Sequence, residues 1–211
     1  MLIRANVQRL PLPPNSVDLI FTDPPYLREC LPCYRWLAQE ARRVLKPGGF
    51  VLAMCGGLWL NRIFRFFDEA GLIFYWKYEL YMGGPEISRV WPGGRRNTEI
   101  SIQVNAKPIL AYCKGFSRSQ VSTTTLLCSG GRDKRYHPWG QDVMSACYCI
   151  SSFSRPGDLV LDPFIGGGTT AVACEQLGRR WICGDLDPHA LATTAERLKQ
   201  RPSKSSAKTV S

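Results

Sequence analysis

Leu159-Val160-Leu161-Asp162-Pro163-Phe164-Ile165-Gly166-Gly167-Gly168-Thr169-Thr170 reads as a short buried strand, a glycine turn and the start of a helix. Gly166, Gly168 and Ala171 satisfy the spacing Gly-x-Gly-x-x-Gly/Ala between a strand and a helix. Glycine at such a turn lets the backbone approach a ligand closely. The pattern continues as helix Thr169–Leu177, strand Arg180–Asp185 and helix Pro188–Lys199. Strands alternating with helices argue for a largely parallel sheet covered on both faces, joined by right-handed crossovers. Asp185, closing the second strand, stands where an acidic partner for ribose hydroxyls is expected. Asp162 closes the first strand, where it would repel the pyrophosphate of a dinucleotide. It suits a ligand carrying positive charge and an α-amino group, such as a sulfonium. A bare strand–helix turn without a ligand is the plainer alternative.

A second strand end lies far upstream. The apolar run Val17–Thr22 ends in Asp23-Pro24-Pro25-Tyr26. The two prolines fix φ and remove two N–H donors, so their carbonyls can face a ligand. A carboxylate, a backbone carbonyl and a ring on one rigid corner suit a planar amino group, such as the exocyclic nitrogen of adenine or cytosine. That nitrogen is a poor nucleophile because its lone pair is delocalised into the ring. Asp23 and the carbonyl of Pro24 can accept both of its hydrogens and draw it toward tetrahedral geometry, while Tyr26 stacks on the base. A strand-end turn with a capping aspartate would need no ligand at all.

Between these motifs the spacing predicts a strand at 2–7, a loop at 11–15, and a helix over 28–45 stopped by Lys46-Pro47-Gly48-Gly49. It further predicts a strand at 50–55, a helix over 61–70, an aromatic strand at 72–82, strands at 100–104 and 109–113, and a helix over 142–153. Residues 83–98 and 115–137 read as irregular.

The chain has 211 residues and a net charge of +10. Lys199, Arg201, Lys204 and Lys208 lie in a polar tail, and +10 less these four leaves +6, still basic enough to favour a polyanionic partner. Nine scattered cysteines form no disulfide framework and point to a reducing cytoplasm. The N-terminus lacks the apolar core of a signal peptide, and no apolar run is long enough to span a bilayer. The expected organisation is one domain over 1–200, holding irregular recognition segments within 83–136, and a disordered tail over 201–211.

Asp162-Pro163-Phe164-x-Gly-x-Gly-Thr169-Thr170 resembles the S-adenosylmethionine motif of the DNA amino-methyltransferases, which act at adenine N6 or cytosine N4. Ile182-Cys183-Gly184-Asp185 is similar to their ribose motif, and Asp23-Pro24-Pro25-Tyr26 to their catalytic tetrapeptide. Asn15-Ser16-Val17-Asp18-Leu19-Ile20 and Arg155-Pro156-Gly157-Asp158 are also typical. The resemblance spans nearly the whole chain to about Lys199, with the catalytic motif first, as in the permuted beta type.

It implies a Rossmann-like α/β fold: a mostly parallel seven-stranded sheet of order 3-2-1-4-5-7-6, with helices on both faces, circularly permuted. It implies S-adenosylmethionine held by Asp162, Pro163, Phe164, Gly166, Gly168, Thr169, Thr170 and Asp185. It implies a DNA substrate with a flipped base, in a restriction–modification setting, and no metal. Arg89, Arg95, Arg96, Arg132, Lys134 and Arg135 fall where the permuted family reads its target, so phosphate or base contacts are expected of them. The short recognition region leaves room for a homodimer or a partner subunit.

Asp at the first tetrapeptide position is commoner in adenine enzymes, and Ser often marks cytosine N4. Adenine N6 is therefore the expectation, with an N4-cytosine enzyme, an RNA adenine methyltransferase and a non-catalytic binding module as alternatives. Two positions depart from the family: Ala5-Asn6 replaces Gly-Asp, and His137-Pro138-Trp139-Gly140-Gln141-Asp142 lacks a lysine, leaving Trp139 to pack on the cofactor. Cys30-Leu31-Pro32-Cys33 has zinc-like spacing but needs two further ligands. Pro32-Cys33 also resembles a cytosine-C5 nucleophile, a role that needs a thiolate.

Overall fold

A computed structural model describes residues 1–81, 88–90, 102–116, 126–128 and 142–200. Its main sheet runs in the order β1-β10-β9-β2-β3-β7-β4-β8. The strands are β1 (Leu2–Arg4), β2 (Val17–Thr22), β3 (Leu45–Met54), β4 (Ile73–Tyr81), β7 (Ala106–Cys113), β8 (Leu126–Cys128), β9 (Leu159–Asp162) and β10 (Arg180–Asp185). A separate two-stranded sheet pairs β5 (Ser88–Val90) with β6 (Ile102–Val104). The first seven strands of the main sheet stand in the expected order. All their pairings are parallel except those of β7, which is antiparallel to β3 and to β4. The eighth, β8, was not expected. It adds three residues to the edge of β4 from a segment read as irregular.

Helices α1 (Leu31–Val44) and α2 (Leu60–Glu69) cover one face. Their Tyr34, Leu37, Ala41, Ile63 and Phe67 pack on Ile20, Val51, Ala53, Leu110 and Tyr112. Helices α3 (Val143–Phe153) and α4 (Thr169–Leu177) cover the other. There Ala146, Ile150 and Ala173 meet Leu19, Phe21, Leu52, Ile109 and Val160. Adjacent residues of β3 and β7 therefore serve opposite cores, as strand alternation requires. Helix α5 (Pro188–Lys199) packs over β1 and β10 and is capped by Asp187, whose carboxylate accepts from His189 N at 2.9 Å. Lys199 therefore ends a helix rather than beginning a tail. Among the described residues no helix is long and apolar enough to cross a membrane.

One local reading is corrected, and one strand departs from regular alternation. Lys46-Pro47-Gly48-Gly49 does not simply stop the helix, because β3 begins at Leu45 and carries these residues as a bulge. Val17 pairs with Leu45, but Leu19 pairs with Phe50. Gly48 takes φ +80° and its N–H bonds Lys114 O at 2.7 Å. A Cβ on Gly49 would lie 2.8 Å from Asp18 O, so strand and bulge pass too closely for any other residue. The aromatic run of β4 does not alternate. A register shift between Phe74 and Trp76 leaves Ile73 to Trp76 all exposed, and burial resumes at Tyr78 and Leu80.

The turn Arg155–Asp158 and the run from Asn15 are the stitching that aligns β9 with β2. Asp18 accepts from Leu159 N at 2.9 Å and from Lys46 Nζ at 2.6 Å. Arg180 N bonds Asp158 O at 2.9 Å, holding β10 to the same start.

Candidate active site

Strands β2 and β9 are parallel neighbours, with Ile20 opposite Leu161. Their C-terminal ends deliver Asp23 and the glycine turn side by side at the switch in strand order, where open α/β sheets bind ligands. Residue 23 thus shares its strand-end edge with the turn.

Asp162 links the two halves. Its carboxyl is buried and accepts from Thr22 Oγ1 at 2.6 Å, Phe164 N at 3.0 Å and Thr170 Oγ1 at 2.6 Å. It therefore ties the end of β2, the turn and the first residues of α4 into one unit. Burial pushes it up to about 6. The hydroxyls of Thr170 and Thr22 and the Phe164 N–H oppose that shift, and the nearby Asp23 carboxylate adds to it.

The turn itself depends on glycine. Gly166 has φ +49° and Gly168 φ +83°, and a Cβ on Gly168 would meet Thr194 Cγ2 and Oγ1 at 2.9 Å. Helix α5 grips the loop from behind: Thr194 Oγ1 donates to Gly166 O at 3.2 Å, and the buried Arg197 donates to Gly167 O at 2.6 Å. Asp185 receives Gly166 N at 3.2 Å and Asp187 N at 3.0 Å, which places its carboxylate beside the turn at the end of β10.

On the other side, Pro24 is buried, Pro25 is exposed, and Asp23 and Tyr26 are half-buried. The Tyr26 hydroxyl donates to Asp23 Oδ1. Lys107 Nζ lies 3.4 Å from Asp23 Oδ2 and 5.2 Å from the centre of the Tyr26 ring. The ring also rests on Gly56, where a Cβ would approach Tyr26 Cβ to 3.3 Å. Beneath the corner the buried Tyr34 hydroxyl reaches Met54 O at 3.1 Å and Pro24 O at 3.3 Å. Burial, then the Asp23 carboxylate, pushes the Tyr26 phenol well above its ordinary value, so it is a donor at neutral pH.

The structure thus brings together Asp23, Pro24, Tyr26, Asp162, Phe164, Gly166, Gly168, Thr170 and Asp185, with Pro25, Pro163 and Thr169 completing the same two loops. Of the basic residues, Arg89 lies on β5 opposite Gln103. Arg95, Arg96, Arg132, Lys134 and Arg135 fall outside the described residues, as do His137, Trp139 and the chain from Arg201. Asn6 is exposed and its side chain bonds Gln8. Burial pushes the Cys33 thiol up rather than down, which is the wrong direction for a nucleophile.

Sequence reasoning missed Thr22, Tyr34, Gly56, Lys107, Thr194 and Arg197. Only Thr22 adjoins a recognised motif. Lys107 stands 84 positions from Asp23 and reaches it through the antiparallel pairing of β7 with β3.

Residues 75–196 match the DNA methylase family, and residues 1–53 a methyltransferase domain. A methylase of Escherichia coli K12 described as putative, YubD, is 31% identical over 183 residues, covering 81% of this chain and 76% of its own. A putative DNA modification methylase of Thermus thermophilus, solved in complex with S-adenosylmethionine, superposes with a TM-score of 0.75 at 19% identity, over 93% of this chain and 91% of its own. The cytosine-N4-specific PvuII DNA methyltransferase superposes with a TM-score of 0.77 at 19% identity, over 93% and 85% of the two chains.

Proposed function

This chain belongs to the N6/N4 DNA methylase family, and on that footing we propose that it transfers a methyl group from S-adenosylmethionine to N6 of adenine in DNA. One observation carries methyl transfer to an exocyclic amino nitrogen: the Asp23–Tyr26 corner and the Gly166–Gly168 turn lie on adjacent parallel strand ends, joined through Thr22 and Asp162. The choice of adenine rests on Asp rather than Ser at position 23.

The residues present fit S-adenosylmethionine. A turn of positive-φ glycines admits close backbone approach, while two carboxyls beside it, Asp162 and Asp185, suit a cation and a ribose and would repel a pyrophosphate. When bound, the cofactor supplies an electrophilic methyl group on its sulfonium.

The chain's own groups handle the amino nitrogen. Asp23 and the Pro24 carbonyl accept hydrogen bonds from its two N–H groups, concentrating electron density on nitrogen as it attacks. Once the methyl is transferred, one of these protons leaves through Asp23 to solvent and the other stays on nitrogen. The Tyr26 hydroxyl and Lys107 hold the Asp23 carboxylate in place, so little reorganisation remains at the moment of reaction. Tyr34 and Gly56 set the height of the corner from below. A base stacked in a duplex cannot reach this strand-end corner, so the target base leaves the stack.

The test is incubation with methyl-labelled S-adenosylmethionine and plasmid DNA, then mapping of the modified base. The reading expects N6-methyladenine. N4-methylcytosine would reassign the base, and label in RNA but not in DNA would reassign the substrate. Asp23→Ala should lower kcat by about 100- to 1000-fold while S-adenosylmethionine binding persists. Full activity in that variant would remove Asp23 from the mechanism.

A further inference from the structure

A groove outside both loops runs along the face of α1 and α2. It has two adjoining lobes of about 460 and 330 Å³, both lined by Arg35, Arg62 and Phe66; Arg65 and Glu69 line the first, and Arg28 the second. Four exposed guanidiniums therefore face one carboxylate. Among the described residues none of the four has an acidic partner within 4.0 Å. Three of them lie over aromatic faces instead. Arg28 and Arg62 lie 6.0 and 5.8 Å from the Trp59 ring centre, and Arg35 lies 4.7 Å from that of Phe66. A guanidinium stacked in this way keeps its N–H edge free for a phosphate and loses less freedom on binding one.

One end of the groove lies close to the proposed catalytic corner along the chain. Arg28 follows Tyr26 by two positions. Trp59 follows by three the Gly56 on which the Tyr26 ring rests. A base drawn into the corner must keep its flanking phosphates close by.

We propose that this α1–α2 groove binds the sugar–phosphate backbone of the substrate DNA beside the flipped base, with Arg28, Arg35, Arg62 and Arg65 as the phosphate contacts. The proposal rests on DNA methylation as the function. It places backbone contacts on the sheet face opposite α3 and α4, outside the insertion segments from which sequence alone expected them. The occupant is identified by charge complementarity. An unneutralised row of arginines suits a polyanion and would repel a second copy of the same face.

The test is binding of a short labelled DNA duplex across a range of salt concentrations, by fluorescence anisotropy. Removing one phosphate-binding charge lowers the slope of log K against log salt by about 0.9, so Arg35→Gln/Arg65→Gln should lower it by about 2. KM for DNA should rise at least about tenfold. Affinity for S-adenosylmethionine should not change. Arg35→Lys/Arg65→Lys should restore the slope, since it keeps the charge. An unchanged slope and KM in the glutamine variant would overturn the proposal while leaving DNA methylation standing. So would a dimer seen by sedimentation that the glutamine variant dissolves without changing the slope. Failure of the wild-type chain to bind or methylate DNA would instead overturn the function on which the proposal rests.

Discussion

Asp162→Asn should change the shape, not merely the height, of the stability–pH curve. In the folded protein the Asp162 carboxyl is pushed up to about 6, against an ordinary 3.8, chiefly by burial. Between these values the folded chain holds a proton that the unfolded chain has released. Stability must therefore fall as pH rises through this window and level off above it. At about 1.4 kcal/mol per pH unit, the interval corresponds to about 3 kcal/mol.

Asparagine has no proton to lose there. Its amide oxygen can still accept from Thr22 and Phe164 N, and its NH₂ meets a Thr170 hydroxyl that can turn to accept. The assay is urea unfolding of both proteins across the pH range, with each curve subtracted from the other so that shared titrations cancel. The wild-type advantage should shrink by about 3 kcal/mol on going from below pH 4 to above pH 6.5. In thermal unfolding that is a change of about 6–12 °C in the difference between the two midpoints. Parallel curves would refute the argument, and so would a gap that widens with pH. Under the proposed function this destabilising charge would serve the cationic cofactor beside the glycine turn.

Three further outcomes follow from single contacts. Gly168→Ala forces a Cβ to 2.9 Å from Thr194 at φ +83° and should cost about 2–5 kcal/mol in urea unfolding. Adding Thr194→Ala should recover at least about 1 kcal/mol of that loss through coupling, and strict additivity would disprove the clash. Tyr34→Phe removes a buried hydroxyl shared between Met54 O and Pro24 O, so about 1–2 kcal/mol of stability should go, with kcat falling further than S-adenosylmethionine affinity. Arg197→Met strips the guanidinium from Gly167 O; a weaker dissociation constant for S-adenosylmethionine with unchanged DNA affinity is expected, and the reverse pattern would contradict the role assigned to α5.

Local chemistry decided much of this protein before any folding. Apolar runs closed by Asp-Pro placed β2 and β9 to the residue, and the glycine turn, α4, β10 and α5 also stand where their sequence patterns put them. These elements are legible because turn glycines, prolines and capping residues act over a few positions. The bulge at residues 46–49 and the lost alternation of β4 were not legible, because each arises from register against a neighbouring strand. Nor was the engagement of Asp162 by Thr22, 140 positions away. Lys107, Tyr34, Thr194 and Arg197 carry no motif of their own and join the site only through the sheet order and the packing of α1 and α5. The arginine groove is of the same kind: residues from 28 to 65 look like ordinary helix-surface charges until two helices lie side by side. Sequence determined which chemical groups stand at each strand end. Tertiary structure alone determined which ends are neighbours, because only the pairing of strands brings distant carboxylates, hydroxyls and cations within hydrogen-bond reach.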